Sequence, residues 1–329
     1  MAGEEQIFKI FPRGIRERLE RSGADPGAIQ ELRLRAGRPL MVLCGGRELA
    51  LTEGGRLEPT GEGRRAQELF IVERGMIEET VELMGRFSLY AAQEELRQGF
   101  LTIRGGHRVG VAGRVLAENG EIRVMRSISF LNVRVAHEKK GCADRVMEFL
   151  YSENGRFLNT LIISPPRCGK TTLLRDIIRQ ASDGCRAGAS GRWFPGISVG
   201  VVDERSELGA CYEGQPQNDL GCRTDVLDCC PKSQGMMMLV RSMSPELIAV
   251  DEIGGEEEAR AIEYAGNCGC SLAATAHGES MEEIKGKAGL GRLVKQGFFK
   301  RFILLSRGGQ AGRVEGIYDG AGKALRRGG

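Results

Sequence analysis

The chain has 329 residues, 41% of them hydrophobic and 28% charged, which is enough to build two domains of ordinary size. Its net charge of +3 is only weakly basic and argues against a dedicated nucleic-acid-binding protein. No apolar run approaches the roughly 18 residues that span a bilayer, and the charged residues within Met1–Ile10 do not fit a secretory signal.

Ten cysteines are scattered along the chain, and none stands in a C-x-x-C pair. The three histidines lie far apart, so the spacing does not predict a zinc site. A disulfide scaffold is not expected in a chain of this size without a secretory signal. We therefore expect reduced cytosolic thiols, most of them buried as small hydrophobic side chains.

The first part of the chain is predicted to mix helices and strands. Apolar residues at helical spacing predict helices at about 7–21, 64–84 and 89–98. Alternating patterns between turn residues predict strands, at Glu31–Arg35, Pro39–Leu43, Phe100–Arg104, His107–Val115 and Glu121–Val135. Residues 1–136 are therefore predicted to form a smaller α+β domain, and residues 137–155 to connect it to the next domain.

Arginines are dense on the predicted strands of this domain, as at Arg33, Arg35, Arg104 and Arg108. One interpretation is a solvated basic face of the sheet. The other is that some of these guanidinium groups reach a neighbouring subunit's nucleotide or an acidic partner surface.

A phosphate-binding loop is predicted at Ser164–Thr171, which reads S-P-P-R-C-G-K-T. The apolar run Thr160–Ile163 precedes it and a helical pattern follows, which is the strand, loop and helix order of a P-loop. Backbone N–H groups and the helix dipole would bind the phosphates of ATP there. Lys170 would reach the β- and γ-phosphates, and the Thr171 hydroxyl would ligate Mg²⁺. The predicted nucleotide-binding residues are Ser164, Pro165, Pro166, Arg167, Cys168, Gly169, Lys170, Thr171 and Thr172.

Ser164 departs from the P-loop motif, which begins with glycine because the turn leaving the strand is tight. Serine is small, and Pro165 and Pro166 already stiffen the loop. We therefore expect serine at this position to affect full turnover more than nucleotide binding. The alternative, a Gly-Lys-Thr that follows a strand by chance, does not account for the agreement of strand, loop and helix.

A second apolar run, Leu247–Val250, ends in Asp251 and Glu252, about 80 residues after the P-loop. This is the form of a Walker B strand. Asp251 would hold the Mg²⁺ shell, and Glu252 would orient and deprotonate the attacking water. The alternative is a buried strand followed by a helix N-terminus rich in acidic residues, which the helix dipole also favours.

Other patterns complete the predicted sheet. The strand Ile197–Val202 leads into the acidic segment Asp203–Glu207, at the strand end where ligands bind in open α/β sheets. The strand Ser271–Gly278 carries Thr275 and His277, which could sense a γ-phosphate. The remaining segments are read as a hairpin or flexible loop at 183–196, a loop at 208–232, one helix at 280–296, strands at 301–306 and 313–318, and a mobile basic tail at 323–329.

In combination, these segments resemble the stage III sporulation protein AA family, P-loop ATPases related to the type II and type IV secretion ATPases. The resemblance covers nearly the whole chain. The segments that carry it are Leu32–Leu40, Val202–Glu207, Cys222–Asp228, Gly235–Met238 and Ala249–Gly254.

The resemblance implies an α/β fold in which a RecA-like P-loop NTPase domain at 156–322, with a mainly parallel sheet, follows the N-terminal domain. It further implies ATP and Mg²⁺ as cofactors, a hexameric ring with ATP at subunit borders, and a membrane-protein partner. In the family, the ATPase acts in the cytoplasm on the mother-cell side of a channel-like complex between mother cell and forespore.

Site roles also follow from the resemblance. Glu204 and Glu207 match the acidic box of secretion ATPases and His277 their histidine box. Arg205, Arg223 and Arg241 are candidates for stabilising charge from a neighbouring subunit, and one sequence does not decide between them. The candidate metal ligands are Thr171 and Asp251. The candidate catalytic residues are Lys170, Glu204, Arg205, Glu207, Arg223, Arg241, Glu252 and His277.

Three functions are compatible with these patterns. The first is an ATP-hydrolysing motor of a sporulation channel, and the alternative is a nucleotide-binding scaffold of the same complex with little or no turnover. The third is a nucleic-acid-stimulated motor, against which the modest charge and the 5% aromatic content count.

Overall fold

The computed structural model describes residues 7–59, 68–84, 99–118, 121–188, 191–306 and 312–327. The chain divides into two compact units, Met1–His137 and Glu138–Gly329. Within the described residues, no helix is long and apolar enough to cross a membrane. The helix predicted at 89–98 lies outside the described residues.

An antiparallel sheet of seven strands forms the first unit, in the order β4-β3-β2-β1-β7-β6-β5. Strand β1 buries Leu32 and Leu34 while Arg33 and Arg35 lie on the opposite face, as the alternation predicts. The strands are β1 (Ile29–Arg35), β2 (Met41–Cys44), β3 (Arg47–Leu51), β4 (Leu57–Pro59), β5 (Phe100–Ile103), β6 (His107–Glu118) and β7 (Glu121–Arg134).

Two helices, α1 (Arg13–Arg21) and α2 (Arg74–Met84), pack in the core of this unit. The helix predicted at 7–21 is interrupted, because Pro12 disfavours helical backbone at the residue before it. A short 3-10 helix at Ile7–Ile10 therefore precedes α1. Of the helix predicted at 64–84, residues 64–67 lie outside the described residues and 69–73 are not helical, so α2 begins later than its apolar pattern predicts.

An eight-stranded sheet forms the second unit, in the order β12-β11-β13-β14-β8-β15-β16-β17. The five pairings from β12 to β15 are parallel and the last two are antiparallel, so the predicted mainly parallel sheet is confirmed. The strands are β8 (Thr160–Ser164), β11 (Val199–Asp203), β12 (Thr224–Asp228), β13 (Leu247–Val250), β14 (Ser271–His277), β15 (Arg301–Leu305), β16 (Val314–Asp319) and β17 (Ala324–Arg327).

Helices cover both faces of this sheet, and its central strands are therefore apolar on both sides. In β8, Ile162 belongs to one core and its neighbours Leu161 and Ile163 to the other. The helices are α3 (Lys170–Asp183), α4 (Lys232–Ser242), α5 (Glu256–Asn267), α6 (Met281–Lys285) and α7 (Leu290–Lys295).

Several segments differ from their predictions. The 323–329 tail is not mobile throughout, because β17 pairs with β16. The 208–232 loop contains β12, and the helix predicted at 280–296 is two short helices separated at 286–289. The glycine-rich 183–196 segment forms a hairpin of β9 (Gly184–Ala187) and β10 (Arg192–Pro195).

Residues 138–155 pack within the second unit. A 3-10 helix spans Met147–Leu150, and Ala143, Val146 and Tyr151 are buried beside it in the core. The apolar side chains of this segment therefore contribute to the stability of the unit.

Candidate functional site

The order of the parallel strands sets the position of the candidate site. Strands β11, β13, β14 and β8 are neighbours, and all of their carboxyl ends lie at one edge of the sheet. Asp203, Asp251, His277 and Ser164 stand at or just after these ends. The sheet therefore gathers residues that are far apart in sequence.

The predicted phosphate-binding loop connects β8 to α3. Ser164 is fully buried, and its hydroxyl donates a hydrogen bond to the Pro165 carbonyl at 2.7 Å. Arg167 and Gly169 adopt positive φ angles of 63° and 89°, a conformation that glycine adopts without strain. Gly169 precedes the first turn of α3, which has no side-chain cap. Such an uncapped helix N-terminus suits the binding of phosphate.

Thr171 and Asp251, the two predicted metal ligands, are in direct contact. The Thr171 hydroxyl donates to Oδ2 of Asp251 at 2.6 Å. The other carboxylate oxygen of Asp251 accepts from the hydroxyl of Thr275, which is fully buried. The oxygen of that same Thr275 hydroxyl accepts the Glu252 backbone N–H at 2.9 Å.

Three basic side chains contact the carboxylate of Glu252. Its Oε1 lies 2.6 Å from the buried Nζ of Lys170 and 3.0 Å from Nε2 of His277. Its Oε2 lies 2.9 Å from Nη1 of Arg205. Burial opposes ionisation of Glu252, but the hydrogen bond and charge of Lys170, with His277 and Arg205, outweigh it and hold the pKa below its ordinary value.

The acidic segment that follows β11 is anchored by Asp203. This buried carboxylate accepts the backbone N–H groups of Glu207, Leu208 and Gly209 at 2.8 to 2.9 Å. Burial raises the pKa of Asp203 above its ordinary value, although these three donors act against that change. Arg175 of α3 donates to the carbonyls of Glu207 and Leu208, so the segment is also tied to the helix that begins at Lys170.

Lys232 is a residue of this region that the sequence patterns did not single out. Its Nζ lies 2.9 Å from Glu204 and 3.6 Å from Glu258, and its side chain is 10% exposed. A lysine at the start of a methionine-rich helix carries no motif, and both of its partners are distant in sequence. Only the packing of α4 beside β11 and α5 brings these charges together.

Two predicted arginines lie away from this edge of the sheet. Arg223 precedes β12 at the opposite edge and donates to the Ser182 carbonyl at 2.9 Å. Arg241 is exposed near the end of α4, with its guanidinium 6.0 Å from the centre of the Tyr264 ring. The structure therefore brings Arg205 to Glu252 within one chain, but not Arg223 or Arg241.

The residues present fit a magnesium nucleotide. Among the described residues, no group of three or more His, Cys, Asp or Glu side chains could hold a metal ion alone. Mg²⁺ with a nucleotide needs no such cluster, because phosphate oxygens and water supply most of its ligands. One hydroxyl and one carboxylate, from Thr171 and Asp251, match that requirement. A groove of about 280 Å³ lies beside the loop, lined by Pro165, Pro166, His277, Gly278, Glu279 and Glu283.

The sheet order and the loop at its edge define the second unit as a RecA-like α/β protein with the fold of the secretion ATPases. The chain belongs to the family "Sporulation stage III, protein AA", whose family model matches residues 1–325. It is 41% identical to stage III sporulation protein AA of Bacillus subtilis (strain 168) over 326 residues, which cover 98% of this chain and 97% of that protein.

Two solved structures and a plant protein are also similar to this chain or to part of it. The pilus retraction motor PilT with bound ADP has a TM-score of 0.52 at 14% identity, covering 91% of this chain and 77% of PilT. The Legionella pneumophila ATPase DotB gives a TM-score of 0.48 at 16% identity, with 87% and 74% covered. SEEDLING PLASTID DEVELOPMENT 1 of Arabidopsis thaliana is 32% identical over 157 residues, 47% of this chain and 21% of that protein.

Proposed function

We propose that this protein hydrolyses ATP with Mg²⁺ and acts as the motor of a sporulation-specific, secretion-like channel between mother cell and forespore. One observation carries the proposal: the Thr171 hydroxyl meets Asp251 at 2.6 Å, and Lys170 meets Glu252 at 2.6 Å. These are the four residues that a P-loop ATPase uses on its magnesium, phosphates and attacking water.

Each residue of the candidate site would have a distinct role in hydrolysis. Lys170 and the N–H groups at the start of α3 would hold the phosphates, and Thr171 and Asp251 would hold Mg²⁺, which neutralises the charge that develops on the phosphates. Glu252 would orient the attacking water and take its proton. The lowered pKa of Glu252 keeps its carboxylate ionised, so it can accept a hydrogen bond from that water, but it also makes the carboxylate a weaker base while Lys170 contacts it. His277 and Arg205 fix the direction of the carboxylate.

A phosphate-release assay tests the proposal, with Lys170→Ala and Glu252→Gln beside wild type. We expect Lys170→Ala to lose nucleotide binding and turnover together. Glu252→Gln should bind a fluorescent ATP analogue and release phosphate at least about a hundredfold more slowly. Lys285→Ala and Glu282→Gln, an exposed ion pair on α6, are matched controls and should keep wild-type rates. Unchanged turnover in Glu252→Gln would contradict the proposed mechanism.

The second candidate is a nucleotide-dependent scaffold of the same complex with little or no turnover. Ser164 in place of glycine, and the engagement of Glu252 by three basic groups, favour it. Nucleotide binding without phosphate release by the wild-type protein, in the same assays, would select this function over the motor.

The proposed assembly is a hexameric ring at the cytoplasmic, mother-cell side of the membrane, held there by a membrane protein of the channel complex. Family membership supports this arrangement. In such a ring the interfaces are head-to-tail, and we propose that a residue of the next subunit completes each site.

A further inference from the structure

We propose that Lys232 is a positioning residue that holds Glu252 in place by joining the acidic segment after β11 to the loop before α5. The inference rests on the proposed ATPase function and extends it to a residue outside the P-loop and Walker B patterns. Two observations support it: a lysine whose side chain is only 10% exposed contacts two carboxylates, and each of those carboxylates is connected to Glu252.

The surroundings of Lys232 demand charged partners. Its side chain is 10% exposed at the start of α4, and transfer of an ammonium group out of water is costly unless the group is paired. Glu204 lies 2.9 Å from Nζ and Glu258 lies 3.6 Å from it. Lys232 also lines the same small cavity as Asp251 and Glu252. The ammonium group of Lys232 therefore lies beside the proposed reaction centre, between the acidic segment after β11 and the start of α5.

The contact with Glu258 leads to the loop that carries Glu252. Oε2 of Glu258 accepts the backbone N–H groups of Gly254 and Gly255 at 2.6 and 2.9 Å. Its Oε1 is the atom that faces Lys232. Lys232 thus fixes the carboxylate that closes the turn two residues beyond Glu252. Because Glu252 itself has a strained φ of +56°, its conformation depends on such restraints from the surrounding structure.

The contact with Glu204 leads to Glu252 from the other side. The next residue, Arg205, donates to Oε2 of Glu252 at 2.9 Å. Arg205 is 63% exposed, so its own surroundings restrain it weakly. The pairing of Glu204 with Lys232 therefore restrains the backbone from which the Arg205 side chain extends to Glu252. The two contacts of Lys232 therefore lead to Glu252 by different routes, one to the backbone turn that follows it and one to its carboxylate.

Steady-state kinetics of Lys232→Met test this role, because methionine keeps the length and removes the charge. Displacement of a catalytic group by about 1 Å can cost about a hundredfold in rate, so we expect kcat to fall at least about tenfold while KM changes less than about threefold. Lys232→Arg should recover most of kcat, because it restores the charge. Lys140→Met is the matched control, since Lys140 also bridges two acids, Asp219 and Glu138, neither of which belongs to the acidic segment after β11 or to the loop before α5.

Hydrogen exchange without nucleotide gives a readout that does not depend on turnover. Lys232→Met should exchange faster than wild type over residues 252–259, where Glu258 protects the amides, and at the same rate over 160–178. Unchanged exchange at 252–259, or a kcat within about twofold of wild type, would overturn the positioning role. Faster exchange at 252–259 in a protein whose wild type has no turnover would support the positioning role and contradict the ATPase function instead.

Discussion

At the scale of single residues, Thr275 supports both acids that follow β13. Its hydroxyl donates to Asp251, and the same oxygen accepts the N–H of Glu252. Glu252 has a left-handed φ of +56°, which costs a non-glycine residue about 1 to 2 kcal/mol. Because the buried Thr275 hydroxyl makes hydrogen bonds to both residues, it can hold the Glu252 backbone in this strained conformation. In a surface loop without such bonds, the backbone would relax. The candidate site therefore depends on a side chain that need not touch the nucleotide.

Thr275→Val tests this dependence, because valine has nearly the same shape but no hydroxyl. The buried Glu252 N–H and one Asp251 oxygen would lose their partner, so we expect unfolding free energy to fall by about 1 to 3 kcal/mol. Release of the Glu252 backbone should also lower kcat at least about tenfold. Urea unfolding and phosphate release measure the two effects.

Thr160→Val is the matched control at the other end of the neighbouring strand. Thr160 is also fully buried, and its hydroxyl donates to the Leu158 carbonyl at 2.7 Å. Its replacement should lower stability by about 1 kcal/mol and leave kcat unchanged. If both valine variants lower kcat equally, the loss reflects general destabilisation and Thr275 has no particular role.

At the scale of elements, Asp176 attaches the start of the second unit to α3. This buried carboxylate accepts the Ala143 backbone N–H at 2.8 Å and side-chain donors from Arg179 and Gln180 at 2.6 and 3.1 Å. Burial opposes ionisation of Asp176, but the bonds from Ala143 and Arg179 outweigh it and lower the pKa below its ordinary value. The helix that carries Lys170 is therefore held at a second point along its length.

Asp176→Asn should destabilise the unit by about 2 kcal/mol at pH 7, because a buried charged acceptor is replaced by a neutral group with a misplaced donor. The folded pKa of Asp176 is lowered, so its stabilisation is complete above the unfolded pKa of about 3.9 and is lost as pH falls through the folded value. Urea unfolding from pH 7 to pH 3 should show the difference from wild type shrinking only below about pH 4. A difference that stays constant down to pH 3 would contradict this account.

The elements that the sequence predicted best are the buried ones. Strands β8 and β13 appear as continuous apolar runs because both of their faces are covered. The edge strands β12 and β17 were missed, since they are partly exposed and carry the polar residues typical of loops. The P-loop and the two acids after β13 were predicted from motifs. Lys232 was not, because its partners meet it only through the packing of three elements.

At the scale of the whole molecule, the positions of Arg223 and Arg241 bear on the proposed ring. Both lie toward the opposite edge of the sheet from Glu252, so neither acts on the site of its own chain. Both arginines are exposed, but Arg223 donates a hydrogen bond to the Ser182 carbonyl, whereas the guanidinium of Arg241 lies 6.0 Å from the centre of the ring of Tyr264, which is itself exposed. Of these two, Arg241 is therefore the better candidate to complete a neighbouring subunit's site.

If Arg241 acts in this way, turnover per subunit should rise with protein concentration, because assembly follows mass action. Arg241→Ala alone and Glu252→Gln alone should both be inactive. Mixed in equal amounts before assembly, about one quarter of the interfaces would join an intact Glu252 to an intact Arg241, and activity should return to about that fraction. A mixture of Lys170→Ala with Glu252→Gln is the control and should stay inactive, because each chain lacks part of its own site. Wild-type turnover by Arg241→Ala, or no recovery in the first mixture, would exclude Arg241 as the residue that acts across the interface.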